Sequence, residues 1–97
     1  MTGKQRAYLR SLSNSLDTIV HIGKGGISEN VVKQTEEALT ARELIKGRVL
    51  EASLLSAREA CEALAEATGA EGIQVIGSRF VLYRANPKAP KITLPKG

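Results

Sequence analysis

The sequence predicts a single compact α/β domain in the order α-β-α-β-α-β-β, with a four-stranded mixed sheet and helices packed on it. Three observations lead there. The chain has 97 residues, 42% hydrophobic and 25% charged, which suits one core of ordinary globular composition. Segments of helical and strand periodicity alternate along it, which favours parallel neighbours joined through helices. The last two strand-like runs are separated only by Gly77-Ser78, so they must fold back as an antiparallel hairpin.

Each element has local grounds. Thr2 and Gln5 have capping-box spacing, and Tyr8, Leu9, Leu12 and Leu16 recur at helical intervals, predicting a helix over Lys4–Ser13 with Arg6 and Arg10 on one face. Thr18–Ile22 is short and β-branched, hence a strand, and Gly23-Lys24-Gly25-Gly26 ends it. Ser28 is the next N-cap, with Ile27 and Val32 spaced as a hydrophobic staple, and the helix to about Ala41 buries Val31, Thr35, Ala38 and Leu39. Glu43–Leu50 reads as the second strand, Lys46 and Arg48 on one face, Ile45 and Val49 on the other.

Ser56 and Glu59 repeat the capping box. Ala57, Ala60, Cys61, Leu64 and Ala65 make the apolar stripe of a third helix, Gly69 suits its left-handed C-cap, and Glu59, Glu62 and Glu66 give it an acidic face. Ile73–Ile76 and Phe80–Tyr83 form the hairpin, the leading glycine of its turn fitting type II′. Residues 1–85 are therefore expected to be the domain. Residues 86–97, with Pro87, Pro90 and Pro95 among lysines, are expected to be an extended tail lying on the surface or disordered.

Composition excludes several function classes. No apolar run approaches the ~20 residues of a membrane span, and Met1-Thr2-Gly3-Lys4 does not open an apolar signal stretch, so a cytoplasmic protein with no membrane partner is expected. One cysteine, Cys61, and one histidine, His21, supply no ligand set for structural zinc, and no cofactor is expected. A Ser-His-acid triad would have to use His21, which no Gly-x-Ser-x-Gly elbow or positioned carboxylate pair accompanies, so no enzyme is expected either. Tyr8, Phe80 and Tyr83 are the only aromatics, too few for an extended base-stacking platform.

The charge is segregated. Residues 1–28 carry Lys4, Arg6, Arg10 and Lys24 against Asp17 alone, and residues 72–97 carry five cations and no acid. The segment between them is net −4. If the fold brings both basic ends to one side, the molecule has a positive face suited to polyanions and a negative face that repels them; ordinary charge scatter is the alternative.

Gly23-Lys24-Gly25-Gly26 fits neither nucleotide-binding motif. Gly25 follows Lys24 where a P-loop needs Ser or Thr, and Ile27-Ser28 stand where a dinucleotide fingerprint needs its last spacer and third glycine. What remains is a Gly-x-x-Gly loop between a strand and a capped helix. Its glycines admit close backbone approach to a phosphate, the helix start favours an anion, and Lys24 adds a full charge, the arrangement by which KH-type modules clamp a nucleic-acid backbone. A tight turn that merely needs positive φ would have the same pattern.

With these features the sequence resembles a bacterial stand-alone CRM domain of the YhbY type (chloroplast RNA splicing and ribosome maturation). The likeness is carried by Thr2-Gly3-Lys4-Gln5 and Leu9-Arg10, Ile22-Gly23-Lys24-Gly25-Gly26, and Ala41-Arg42-Glu43-Leu44-Ile45-Lys46. It continues in Val75-Ile76-Gly77, Val81-Leu82-Tyr83-Arg84 and Ile92-Thr93-Leu94-Pro95. The resemblance implies a fold similar to the C-terminal domain of bacterial translation initiation factor three. It also implies an RNA-binding protein acting in assembly of the large ribosomal subunit on ribosomal RNA, whereas plant relatives act in intron splicing; a monomer is expected.

Its RNA-contacting loop maps onto Gly23, Lys24, Gly25 and Gly26, with Arg6, Arg10, Lys46 and Arg84 on the basic face. Gly47 departs from the family pattern of a larger apolar residue, which predicts a weak point in the second strand. Two other readings stay open: a regulator binding messenger or transfer RNA, and a protein-interaction module using the acidic third helix.

Overall fold

The seven elements appear in the expected order in a computed structural model that describes residues 1–88 and 90–96. They are α1 (Gly3–Ser13), β1 (Thr18–Ile22), α2 (Glu29–Arg42), β2 (Leu44–Val49), α3 (Ala57–Thr68), β3 (Glu71–Ile76) and β4 (Arg79–Tyr83). The helix starts are set by their caps. Thr2 and Ser56 each complete a capping box, with Gln5 and Glu59 respectively, and the Ser28 hydroxyl accepts from the Val31 amide. Gly69 closes α3 at φ 71°. In the β3–β4 turn Gly77 has φ 57° while Ser78 has none of the positive φ that type I′ would demand, the type II′ pattern.

The sheet order is β1-β2-β4-β3. β1 and β2 are parallel through α2, whereas β4 pairs antiparallel with both β2 and β3. The strands joined by α3 are therefore not neighbours. The two-residue turn folds β4 back into the gap between them, so α3 spans two strand spacings.

The sheet has a helix layer on each face. Val20, Ile22, Ile45, Phe80 and Leu82 meet Leu39 of α2 and Ala60, Cys61 and Leu64 of α3 in the larger core. On the other face Leu44, Ile73, Val81 and Tyr83 meet Leu9 of α1, with Leu12, Leu16, Ile92 and Leu94 packed around them. The last two come from the C-terminal segment. Gly47 is not a weak point: a Cβ there would have three ring atoms of Phe80 inside 3.0 Å. Its missing side chain is the seat of the largest fully buried side chain of the core.

Glu43, expected as the first residue of the second strand, is instead the C-cap of α2 at φ 64°, the only non-glycine with positive φ among the described residues. Its buried carboxylate accepts the backbone amides of Asn86, Lys91 and Ile92, and its carbonyl accepts the Arg84 amide. Burial opposes its charge, yet those three donors and the nearby Lys91 ammonium outweigh it and hold the carboxyl below its ordinary range. One acidic side chain thus binds the C-terminal segment to the domain.

Candidate nucleic-acid interface

β1 delivers the chain straight into the glycine loop. The Gly26 amide donates to the Gly23 carbonyl at 3.1 Å, closing a tight turn, and Gly26 has φ 65°, which a β-branched residue tolerates poorly. No atom lies within 4 Å of a Cβ placed on Gly25, so the loop tip is open to a ligand. The inner side of the loop rests on the β2–α3 connection, with Leu50 beside Gly23 and Leu55 beside Gly26. Lys24 is exposed and makes no ion pair among the described residues. The start of α2 itself is already served by the Ser28 hydroxyl and by Glu29 in its first turn. The cation of this site is therefore Lys24 more than the helix dipole.

The other basic residues divide into two groups. β2 runs from the Glu43 end of the sheet to the loop end, where the Leu50 amide donates to the Ile22 carbonyl at 2.8 Å. Arg84 leaves β4 at the Glu43 end, roughly 17 Å away by strand rise, and both terminal nitrogens of its guanidinium are engaged. It donates to a Glu36 carboxylate oxygen at 2.8 Å, the Thr68 carbonyl at 2.8 Å and the Thr40 hydroxyl at 3.0 Å. Arg6 sits beside the start of β3, donating to the Gly72 carbonyl at 2.6 Å with Glu71 at 3.9 Å. The expectation that the fold gathers Arg6 and Arg84 near Lys24 is corrected: both lock the opposite end of the sheet.

Arg10, one turn after Arg6 on α1, is exposed and without an ion pair among the described residues. Lys46 projects to the α1 face, in a cleft shared with Ser13, Asn14, Gln74, Ile76 and Arg79. Arg48 and Arg79 were absent from the expected set. The alternation of β2 places Arg48 on the Lys46 face, but only the β2–β4 register reveals Arg79 opposite it.

Burial raises the Cys61 thiol, with Glu62 adding to it, so it is a poor nucleophile. Among the described residues no cluster of three His, Cys, Asp or Glu could hold a metal, and no helix is long and apolar enough to cross a membrane.

The class defined by this geometry is a small three-layer α/β domain presenting a Gly-x-x-Gly loop between a parallel strand and a capped helix. Residues 1–84 match the CRS1 / YhbY (CRM) domain, and the chain belongs to that family. It is 41% identical over 95 residues to YqeI of Bacillus subtilis (strain 168), named a probable RNA-binding protein, covering 98% of this chain and 99% of that one. An RNA-binding protein of Haemophilus influenzae is 35% identical over 96 residues, covering 99% and 96%. The solution structure of the hypothetical protein SAV1595 from Staphylococcus aureus superposes with a TM-score of 0.81 at 49% identity, covering 98% of this chain and 99% of that one.

Proposed function

We propose that the protein binds structured RNA without catalysing a reaction, seating the Gly23–Gly26 loop on the phosphate backbone. Ribosomal RNA in precursors of the large subunit is the ligand in this reading. The observation that carries it is the open glycine loop with an exposed Lys24 at its tip that has no ion pair among the described residues. The names of the relatives support RNA as the polyanion. The subunit assignment rests on the family resemblance, in which stand-alone domains act in ribosome maturation. Such a protein works as a monomer in the cytoplasm, and its affinity derives mainly from counterion release.

The test is RNA affinity of wild type and Lys24→Ala across a salt series, with a labelled RNA hairpin carrying a single-stranded extension. Loss of one phosphate contact lowers the slope of log K against log salt by about 0.7–0.9, with the melting temperature unchanged because the side chain is exposed. An identical slope in the variant removes Lys24 from the contact. Crosslinking in cells then distinguishes the RNAs, and recovery of messenger or transfer RNA instead of ribosomal fragments overturns the large-subunit assignment.

A further inference from the structure

The sheet is not covered along its whole length. α1 packs over Leu44, Ile73, Val81 and Tyr83, and its last residues, Ser13 and Asn14, reach only the cleft that Lys46 and Arg79 line. From that cleft outward, with Arg79 and Ile76 on its rim, the strand register lines up one row across all four strands. His21 pairs with Arg48, Arg48 with Arg79, and Arg79 with Ile76. Directly paired residues project from the same face, and neighbouring strands are about 4.8 Å apart, so the row is roughly 14 Å long. All four side chains are exposed, and none forms an ion pair or a side-chain hydrogen bond among the described residues. Lys46 stands one step behind them on the same face.

This row carries a folding cost with no intramolecular return. Like charges directly opposite on paired strands are destabilising, and Arg48 faces Arg79 with no acid in the row. Glu51 shares a cleft with Arg48 and the Gly77-Ser78 turn and forms no ion pair with it. Two unpaired guanidiniums side by side, flanked by an imidazole, make a strip of positive potential. It begins two residues before the glycine loop.

We propose that this uncovered end of the sheet is a second RNA contact, along which a strand leaving the Gly23–Gly26 loop crosses β1, β2 and β4 with its phosphates on Arg48 and Arg79. The proposal rests on the RNA-binding reading of the loop and extends it from one point to a track. Guanidiniums suit this role because they bind phosphate oxygens bidentately and can also stack on unpaired bases, which a row with no Phe, Tyr or Trp needs. The apolar Ile76, 64% exposed, ends the track where β3 forms the sheet edge.

The experiment compares wild type, Lys24→Ala and the double variant Arg48→Gln/Arg79→Gln on the same RNA hairpin with its single-stranded extension. The double variant should lower the salt slope by about 1.4, two single-strand phosphate contacts. Its melting temperature should be equal to or above that of wild type, since the like-charge pair is relieved. Arg48→Lys/Arg79→Lys should keep most of the slope. If the double variant binds with the wild-type slope while Lys24→Ala does not, the loop reading stands and the sheet track is overturned, leaving the row to an acidic protein surface. If wild type itself shows no salt-dependent RNA binding, the loop reading fails as well. A double variant that melts well below wild type would show the arginines to be structural and overturn the track too.

Discussion

At the Glu43 end of the sheet, arginines and carboxylate are spent on the protein: Arg84 on Glu36, Thr40 and Thr68, Arg6 on Gly72 and Glu71, Glu43 on three amides of the C-terminal segment. At the loop end, Lys24, Arg48 and Arg79 have no such partner among the described residues. Both ends are rich in charge, yet among the described residues Arg84 and Arg6 are engaged by the protein while Lys24, Arg48 and Arg79 are not. The contrast separates charges engaged within the fold from charges left to solvent, which neither net charge nor clustering along the chain can do. Substitutions at the first end should move stability and leave RNA affinity alone; those at the second should do the reverse.

The sharpest test of the first half is Glu43→Ala. It leaves three amides without their charged acceptor and frees the segment that brings Ile92 and Leu94 onto the core. Since a hydrogen bond to a charged group contributes about 1.5–3 kcal/mol and the freed amides regain water, the net loss should be about 3 kcal/mol, a fall of roughly 12–24 °C in melting temperature for a domain this size. Thermal unfolding by circular dichroism measures it. The pH dependence has a definite sign. The carboxyl is held below its ordinary 4.5 in the fold, so the stabilisation is complete above that value and is lost as pH falls through it toward the folded pKa. The acid-induced loss should be smaller in Glu43→Ala than in wild type. A variant that melts within a few degrees of wild type would break the assignment of this end to structure.

Why this end was illegible in the sequence is instructive. The seven elements, both capping boxes, the Gly69 cap and the hairpin turn follow from local spacing, and local rules are enough for them. Glu43 does not. A glutamate beside Leu44 and Ile45 reads as the start of a strand, and only residues more than 40 positions away explain its positive φ and buried carboxylate. Arg84 and Arg6 likewise look like surface cations until Glu36 and Gly72 are brought to them. Gly47 looks like a defect until Phe80 crosses it. The glycine loop was readable because its geometry is contiguous in sequence. The Arg48–Arg79 pair was not, because it depends on β4 inserting between β2 and β3.

A middle-sized effect compares one residue from each end directly. Arg84→Gln gives up charge-assisted hydrogen bonds at a half-buried site, where solvent screening reduces their value to about 1–2 kcal/mol. Its melting temperature should fall by roughly 4–16 °C, with the salt slope of RNA binding unchanged. Lys24→Ala should give the mirror image. If Arg84→Gln flattened the slope by as much as Lys24→Ala, Arg84 would be exchanging Glu36 for a phosphate when RNA binds, and the division of labour between the two ends would fail.

The smallest effect is expected from Glu62→Lys. Glu62 is exposed on α3, which packs on the sheet face opposite α1, so a helix layer and the sheet separate it from the Arg48–Arg79 row. Reversing its charge changes the net charge from +4 to +6 but adds no contact to RNA on the far face. Only long-range attraction is left, and with a screening length of about 10 Å at 0.1 M salt it should raise affinity no more than roughly twofold at low salt and not at all at high salt. Measured beside Lys24→Ala at two salt concentrations, with folding checked by circular dichroism, this variant asks whether position or mere charge governs binding. A gain comparable to the loss in Lys24→Ala would mean that net charge alone sets affinity and the glycine loop is not a specific seat. A large loss would mean that the acidic helix is the working surface, since a charge so placed can weaken RNA binding only if α3 itself meets the ligand.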